Sequence, residues 1–376
     1  MKIKQLNPAF LVILAVAASI AFAACDNSFG VFHEIQTEKA QVGTDVFKNV
    51  TVKALAEDGS NYYAAMAKVF YRPISGDTWL VMPVNGDSDY YCVGLASNGA
   101  GTVYIATANT STTALKGIYS TADSGATAWT KMDSGEFAAK IVDSLFYANG
   151  TLFAAAHTDT EELATYDLYY YNGSAFVSAG LTGLDIPVQG LVYGDSAYWA
   201  ITSSKLYRTT SLGTFTEQTA SGPSSAGKTL EAIATDSTGK VHVTTSDGDL
   251  YTCSASTWTS DNLASSVSLG VLAEVPIDDA ASAYRLLVAK HNSSYGYYEY
   301  NATTKDTPLS GNDDDAIFAP TASSYTTTIY LKPVMAFHYS TANKTLLIGL
   351  AAQSTDTYAL YSNTVDGSTW SGWTAE

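Results

Sequence analysis

Apolar and polar residues alternate along most of the chain in short runs, and the runs are separated by Gly, Asn, Asp or Ser. The stretch "LEAIATDSTGKVHVTTSDGDLYTCSASTWTSDN", residues 230 to 262, contains four such runs and closes on Trp258. A period of two is typical of half-buried strands, and the intervening residues favour tight turns. Helical periodicity is essentially missing, so we predict an all-β protein.

This four-run pattern recurs seven times. The copies cover residues 52–82, 92–132, 142–180, 188–218, 230–262, 269–309 and 334–370. Six of them close on an aromatic residue, namely Trp79, Trp129, Phe176, Phe215, Trp258 and Trp370, whereas the sixth copy has lost it near Pro308. A four-stranded sheet of this size cannot bury both faces alone, and radial stacking of such sheets also protects their edges. Residues 47–376 are therefore predicted to form a seven-bladed β-propeller of four-stranded antiparallel blades.

Two turns between third and fourth strands resemble the Asp-box of sialidase-like propellers, Ser/Thr-x-Asp-x-Gly-x-Thr-Trp. The stretch "TADSGATAW" keeps Asp123 and Trp129 with one residue inserted, and "TVDGSTW" keeps Asp366 and Trp370 with one residue missing. In this motif the Asp side chain bonds to turn amides and the Trp packs between sheets. The resemblance thus implies a structural role for these four residues.

The first residues have the layout of an export signal, because two lysines precede an apolar run from Phe10 to Ala24. The following "AFAAC" resembles a bacterial lipobox, with Phe22 in place of the usual Leu or Val. The resemblance implies a signal peptide over 1–24, acylation of Cys25, and a tether over 25–46. The protein would then be exported and lipid-anchored to the bacterial envelope. Ordinary secretion, with Cys25 a chance neighbour of the cleavage site, is the alternative.

The net negative charge of the chain limits which partners it can bind. Removal of the signal takes away only two lysines, so the net charge moves from −17 to −19. Such a surface repels phosphate backbones and anionic lipid head groups, so we expect no nucleic-acid partner and membrane contact only through the anchor. Cys92 and Cys253 fall in well-separated repeats, which predicts two buried thiols and no disulfide.

The stretch "SGPSSAGKT" carries Gly222, Gly227, Lys228 and Thr229 in the spacing of a P-loop. A working P-loop needs a buried strand before it and a helix after it, so that loop amides and the helix N-terminus converge on phosphate. Here strand-like alternation follows instead. We therefore predict a connector between the fourth and fifth blades, and no nucleotide.

Sialidases clamp a carboxylate with three arginines, and this chain has three, Arg72, Arg208 and Arg285. Arg72 and Arg208 fall in predicted third strands, far from the axis, and the first strands carry no arginine. The sequence therefore argues against a sialidase clamp.

Acidic clusters are the remaining metal candidates. The stretch from Asn85 through Asp87 and Asp89 begins like a calcium loop, but Tyr90 and Ala96 stand where Gly and Glu are needed. The run at 313–315 is more typical of a solvated loop. We expect no cofactor, although a structural calcium ion is left open.

Ligands of propellers commonly meet the face that carries the loops from second to third strand and from one blade to the next. Here that face would gather 107–117, 156–167, 220–228, 290–296 and 351–357. Its candidate ligand-binding residues are His157, Asp159, Glu161, Lys228, His291 and Tyr295. No acid, base, nucleophile or metal set converges in the sequence. We therefore favour a monomeric, non-catalytic binding or scaffolding module for a glycan, peptide or protein, and the alternative is a carbohydrate-active enzyme using carboxylates of the channel mouth.

Overall fold

The computed structural model describes residues 46–84, 90–108, 115–122, 129–133, 135–158, 164–291, 295–311, 315–318, 329–352 and 358–376. Seven antiparallel sheets follow one another along the chain, and each is built from consecutive strands. Each innermost strand contacts the innermost strands of two neighbouring sheets, and the first sheet contacts the seventh. The predicted seven-bladed β-propeller of four-stranded blades is confirmed.

The first four blades run from the innermost strand outward. Blade 1 consists of β1 (Ala54–Glu57), β2 (Asn61–Ala65), β3 (Val69–Pro73) and β4 (Leu80–Val81). Blade 2 consists of β5 (Tyr91–Ser97), β6 (Val103–Ala108), β7 (Leu115–Thr121) and β8 (Thr130–Lys131). After a 3-10 turn at Gly135–Ala139, blade 3 consists of β9 (Ile141–Ala148), β10 (Thr151–His157), β11 (Tyr166–Tyr171) and β12 (Phe176–Leu184). Blade 4 consists of β13 (Gly190–Gly194), β14 (Ala197–Ile201), β15 (Leu206–Thr209) and β16 (Thr216–Glu217).

The last three blades continue the same order. Blade 5 consists of β17 (Leu230–Thr235), β18 (Val241–Thr245), β19 (Asp249–Ser254) and β20 (Thr257–Asn262). Blade 6 consists of β21 (Leu269–Pro276), β22 (Tyr284–Lys290), β23 (Tyr297–Tyr300) and β24 (Leu309–Ser310). Blade 7 consists of β25 (Val334–Ser340), β26 (Thr345–Leu350), β27 (Leu360–Asp366) and β28 (Thr369–Trp370), and β29 (Thr374–Ala375) also pairs with β27.

The second strand of each blade is the most deeply buried. All five residues of β2, β14 and β18 are buried, because both faces of these strands are covered by neighbouring blades. The innermost strands are less buried and carry small residues where blades converge. A Cβ at Gly190 would lie 2.6 Å from Ile233 Cγ2 of the next blade. The predicted taper toward the axis therefore has a direct steric cause.

The closing aromatics pack toward the preceding blade. Trp129 belongs to the core between blades 1 and 2, and its indole N–H donates to Pro83 O at 3.0 Å. Trp370 donates in the same way to Ile277 O of blade 6 at 3.2 Å. Phe176, Phe215 and Trp258 occupy the equivalent interfaces. The core between blades 5 and 6 has no equivalent aromatic, in line with the loss near Pro308.

The two Asp-box-like turns are described only in part. Asp123 lies outside the described residues. Asp366 is exposed and opens a tight hairpin turn in which Gly367 has a φ of 61°. Trp370 packs against Phe318, with ring centroids 4.8 Å apart. Both tryptophans pack between neighbouring blades, and the Asp-box role of these two turns stays a prediction.

Several turns between first and second strands are held by an Asp or Asn side chain. Asp58 Oδ1 accepts hydrogen bonds from the amides of Ser60 and Asn61, each at 2.8 Å. Asp236 Oδ1 likewise accepts from the amides of Thr238 and Lys240, each at 2.9 Å. Such local bonds fix the turn without help from the rest of the sheet.

The ring closes where residues 47–52 run beside blade 7 before entering blade 1. Ala359 N donates to Phe47 O at 2.8 Å, and Val52 N donates to Leu350 O at 3.1 Å. The Phe47 ring then packs edge-on against Trp79 of blade 1, with centroids 5.1 Å apart. Blade 7 obtains all its strands from its own stretch of sequence.

Candidate binding groove at the channel mouth

The innermost strands begin at the face predicted to meet a ligand. His157 ends β10 and His291 directly follows β22, as the sequence indicated, and Lys228 lies two residues before β17. Tyr295 is half-buried next to β23. Asp159 and Glu161 lie outside the described residues, as do parts of four of the five candidate loops.

His157 forms a pair that the sequence did not indicate. Its Nδ1 lies 3.0 Å from Asp143 Oδ2 on the innermost strand β9, and its ring contacts Tyr166 with centroids 5.2 Å apart. Burial raises the pKa of the Asp143 carboxyl, and the bond to His157 offsets only part of that rise. The pair faces the channel mouth with a carboxyl that holds its proton more readily than an exposed one.

Neighbouring charges on blade 3 are also paired. Lys140 Nζ lies 3.0 Å from Asp167 Oδ2 and 2.7 Å from Thr158 Oγ1. Burial alone would raise the pKa of Asp167, but the Gly183 amide and the Lys140 ammonium lower it. This network is satisfied internally, so these residues present no free charge.

His291 has a bridging position between blades. Its Nε2 lies 2.9 Å from Val334 O of blade 7. The ring covers Gly270 so closely that a Cβ there would lie 2.2 Å from Nε2. Glu231 lies on β17, the innermost strand of blade 5. Burial raises the pKa of its carboxyl, and the electrostatic effect of His291 offsets only part of that rise. The contacts of His291 are those of a residue that holds two blades together.

Lys228 is held by two carboxylates. Its Nζ lies 2.8 Å from Asp249 Oδ2 and also contacts Asp247 of blade 5. The P-loop-like segment is a connector of turns between β16 and β17, with Gly222 and Gly227 at positive φ. A strand, β17, follows it where a phosphate site would need a helix. The Lys228 ammonium is therefore neutralised within its own blade.

A groove lies on this face, beside the starts of the first three blades, and sequence reasoning missed it. It consists of two cavities that share Lys53 and Met66, here called the inner pocket and the outer pocket. The inner pocket has a volume of about 390 Å³ and is lined by the starts of the first three innermost strands, including Val93, Asp143 and Ser144. The outer pocket has a volume of about 410 Å³ and is lined by Val46, Val50, Thr51, Lys53, Met66, Ala67, Lys68, Phe70 and Tyr91. Volumes of this size fall within the range of ligand sites.

Two lysines stand in the outer pocket. Lys53 Nζ donates to Tyr91 Oη at 2.7 Å and lies 5.1 Å from the centroid of that ring. Lys68 is half-buried, and no carboxylate pairs with either amine among the described residues. Cys92 lines the inner pocket, but burial raises the pKa of its thiol to about 12, so it is not a thiolate nucleophile at neutral pH.

The other sequence candidates are dispersed. Arg72 and Arg208 lie on third strands as predicted, and Arg285 is bound to Asp306 at 2.6 Å, so the three arginines do not converge. Cys92 and Cys253 are buried free thiols, as expected. Asp87, Asp89, Asp313 and Asp314 lie outside the described residues, within which no group of three His, Cys, Asp or Glu could hold a metal ion. That same part of the chain contains no helix of the length and apolar character needed to cross a membrane.

Solved propellers are similar to this chain in fold. No protein-family model matches it, and no curated protein matches it in sequence. The structure of YCF48 bound to D1 peptide is 13% identical, with a TM-score of 0.53 over 85% of this chain and 93% of that one. The GH74 enzyme of Niastella koreensis is 13% identical, with a TM-score of 0.61 over 87% of this chain and 54% of the enzyme. The WD40 propeller of Doa1 is 8% identical, with a TM-score of 0.51 over 81% of this chain and 91% of that domain. These likenesses establish the propeller fold, which proteins of unlike function share.

Proposed function

We propose that this protein is a non-catalytic binding or scaffolding module that holds a peptide, protein or glycan partner in the groove at the channel mouth. The observation that carries the proposal is the groove itself, which consists of two cavities with shared lining residues on the face where propeller loops meet. The surface of the outer pocket is mainly apolar, whereas the inner pocket exposes polar and apolar surface in similar amounts. Such a site recognises a partner by shape and by a small number of fixed polar contacts.

Binding is tested with the full chain on a glycan array and a peptide array. Ser144 lines the inner pocket, so Ser144→Arg places a long side chain in the groove. Ser260 is an exposed residue of the outer strand β20, so Ser260→Arg is a control with the same change of charge and volume. We expect Ser144→Arg to abolish binding and Ser260→Arg to retain it. Equal binding by both variants would place the partner site elsewhere.

A carbohydrate-active enzyme is the second candidate, because one specific observation favours it. Asp143 and Glu231 lie on innermost strands, and burial raises the pKa of both carboxyl groups. A general acid needs such a raised pKa to carry its proton near neutral pH. The array ligands are therefore also screened for hydrolysis. Turnover that Asp143→Asn or Glu231→Gln abolishes, with binding retained, would establish the enzyme and overturn the non-catalytic proposal.

The cellular location is part of the proposal. The apolar run and the lipobox-like "AFAAC" support export and acylation at Cys25, with residues 25–46 as the tether. Cells fed a fatty-acid probe should label the wild-type protein and not Cys25→Ser. Equal labelling of the two proteins would rule out acylation at that residue.

A further inference from the structure

We infer that the groove takes an extended acidic peptide, with an apolar side chain in the outer pocket and an adjacent carboxylate between Lys53 and Lys68. This inference rests on the proposed function and narrows the partner to one chemical class.

The lining of the outer pocket favours an apolar group. Val46, Val50, Met66 and Phe70 supply aliphatic and aromatic surface. The polar side chains there are Thr51, whose hydroxyl already accepts a bond from Ala352 N, together with the two lysines and Tyr91. A sugar would bury several hydroxyl groups against this apolar surface, and each one left unpaired is unfavourable by about 1–3 kcal/mol. An aliphatic side chain has no such requirement.

The charge of the outer pocket favours an anion. Six lysines have a carboxylate partner within the described part of the chain, for example Asp133 beside Lys131, Asp261 beside Lys305 and Asp279 beside Lys344, at 2.9 to 3.3 Å. Lys53 and Lys68 have none among the described residues. A carboxylate placed between them would gain charge-assisted hydrogen bonds.

Tyr91 prepares Lys53 for this role. The Tyr91 hydroxyl accepts a hydrogen bond from Lys53 Nζ at 2.7 Å, so its own proton remains available for donation. The ring also lies beside the ammonium and limits where it can move. An arriving carboxylate therefore meets two donors, the ammonium and the phenol, that are already held together.

The length of the groove favours a peptide over a fatty acid. The two pockets adjoin at Lys53 and Met66, so a long occupant of the outer pocket can extend into the inner one. At that end it meets Asp143, which is paired with His157. A peptide backbone brings donors and acceptors to those polar groups. A fatty acid has one polar end and would bury either that pair or the lysines against hydrocarbon.

The test uses three fluorescent synthetic peptides, of alternating Leu-Asp, Leu-Asn and Leu-Lys, and measures their affinity for the full chain by fluorescence polarisation. Leu-Asp and Leu-Asn have nearly the same shape and differ in charge. We expect Leu-Asp to bind more tightly than Leu-Asn by about tenfold or more, with the advantage shrinking at high salt. Lys53→Gln with Lys68→Gln should remove that advantage.

Two further variants make the result specific to the groove. Lys305→Gln with Lys344→Gln changes the net charge equally, but these lysines lie on the turns of the opposite face, and affinity should stay within about twofold. Val50→Glu places a carboxylate in the outer pocket. It should reverse the charge preference, so that the affinity for Leu-Asp falls and the affinity for Leu-Lys rises. Melting temperatures of all variants confirm that each is folded.

The inference is overturned if Leu-Asp and Leu-Asn bind equally, or if both lysine pairs have the same effect. It is also overturned if Leu-Lys or a glycan binds instead and Ser144→Arg abolishes that binding. In that case the proposed function stands with another ligand. If no peptide and no glycan binds to the full chain, the proposed function falls with the inference.

Discussion

The Glu376 carboxylate accepts a hydrogen bond from Trp79 Nε1 at 2.9 Å and lies 3.2 Å from the guanidinium of Arg72. These contacts join the residue after β29 of blade 7 to β3 of blade 1 and to Trp79, which directly precedes β4. The side chains of Arg72 and Glu376 are each 11% exposed, so the pair is largely shielded from water. The outer part of the ring is thus closed by one carboxylate, while the inner part is closed by backbone bonds.

We predict that Glu376→Ala lowers the free energy of unfolding by about 2 kcal/mol, because it leaves two buried donors without their acceptor. Equilibrium unfolding in guanidinium measures this change. Glu217→Ala removes the carboxylate from the half-exposed pair with Lys205 and should shift the unfolding midpoint much less. Equal shifts would show that the Glu376 contact does not secure the seam.

Substitutions of Trp129 test how much the closing aromatic residues contribute to stability. Its side chain fills the interface of blades 1 and 2, so Trp129→Ala should destabilise the protein by about 3 to 5 kcal/mol through the cavity it leaves. Trp129→Phe keeps most of the ring and loses the hydrogen bond to Pro83 O, which predicts a smaller loss of about 1 kcal/mol beyond the change in volume. Similar thermal midpoints for wild type and Trp129→Ala would contradict the packing role.

The innermost strands leave no room at Gly190. The Cβ of Gly190→Ala would lie 2.6 Å from Ile233 Cγ2 and 3.2 Å from Ile201 Cγ1. We predict a loss of about 1 to 3 kcal/mol from this overpacking, measured by guanidinium unfolding. Gly76→Ala is the control, because its Cβ would make only an ordinary contact with Pro73 at 3.4 Å. A neutral Gly190→Ala would mean that adjacent blades can separate freely at the channel.

The Asp236 carboxylate makes the stability of the fold depend on pH. Burial alone would raise the pKa of its carboxyl, but hydrogen bonds from His242, Thr238 and the Lys240 amide lower it to about 2 from an ordinary value of 3.8. The stabilisation is complete above about pH 4, and it is lost as the pH falls toward 2 and the carboxylate is protonated. We predict that it contributes about 1 to 2 kcal/mol.

Thermal unfolding of Asp236→Asn between pH 5 and 2 (about the range of carboxyl titration) measures this contribution. The variant should be less stable than wild type at neutral pH and should lose less stability on acidification. The exposed Asp77→Asn should follow wild type across the range. Parallel curves for wild type and Asp236→Asn would show that ionisation of the Asp236 carboxyl does not contribute to stability.

The architecture could be predicted from the sequence because each blade repeats the same local sequence pattern. Alternating strands, turn residues and closing aromatics lie within about 40 residues of one another, a span in which hairpin pairing is local. The extra strand β29 did not follow from the repeat, because Thr374–Ala375 returns to pair beside β27 after the unit has ended.

The groove could not be read in the same way. Lys53, Tyr91 and Asp143 belong to three different blades, and only the closed ring brings them to one mouth. A signal was nonetheless present, since these residues stand at or next to the starts of successive innermost strands. Aligning the repeats at those starts would have placed them together. The partners of His157 and Lys228 depended on side-chain directions that no repeat pattern specifies.

Each blade takes all its strands from one unbroken stretch of sequence, so no sheet depends on where the polypeptide begins. The chain ends could therefore be moved to another connector between blades, and every sheet would keep its pairing. Gene duplication or loss of a whole unit would likewise change the number of blades without leaving a sheet that lacks a strand. For an engineer this makes the blade a module that can be exchanged, and the neighbour-facing aromatic is the part of it that must match its new surroundings.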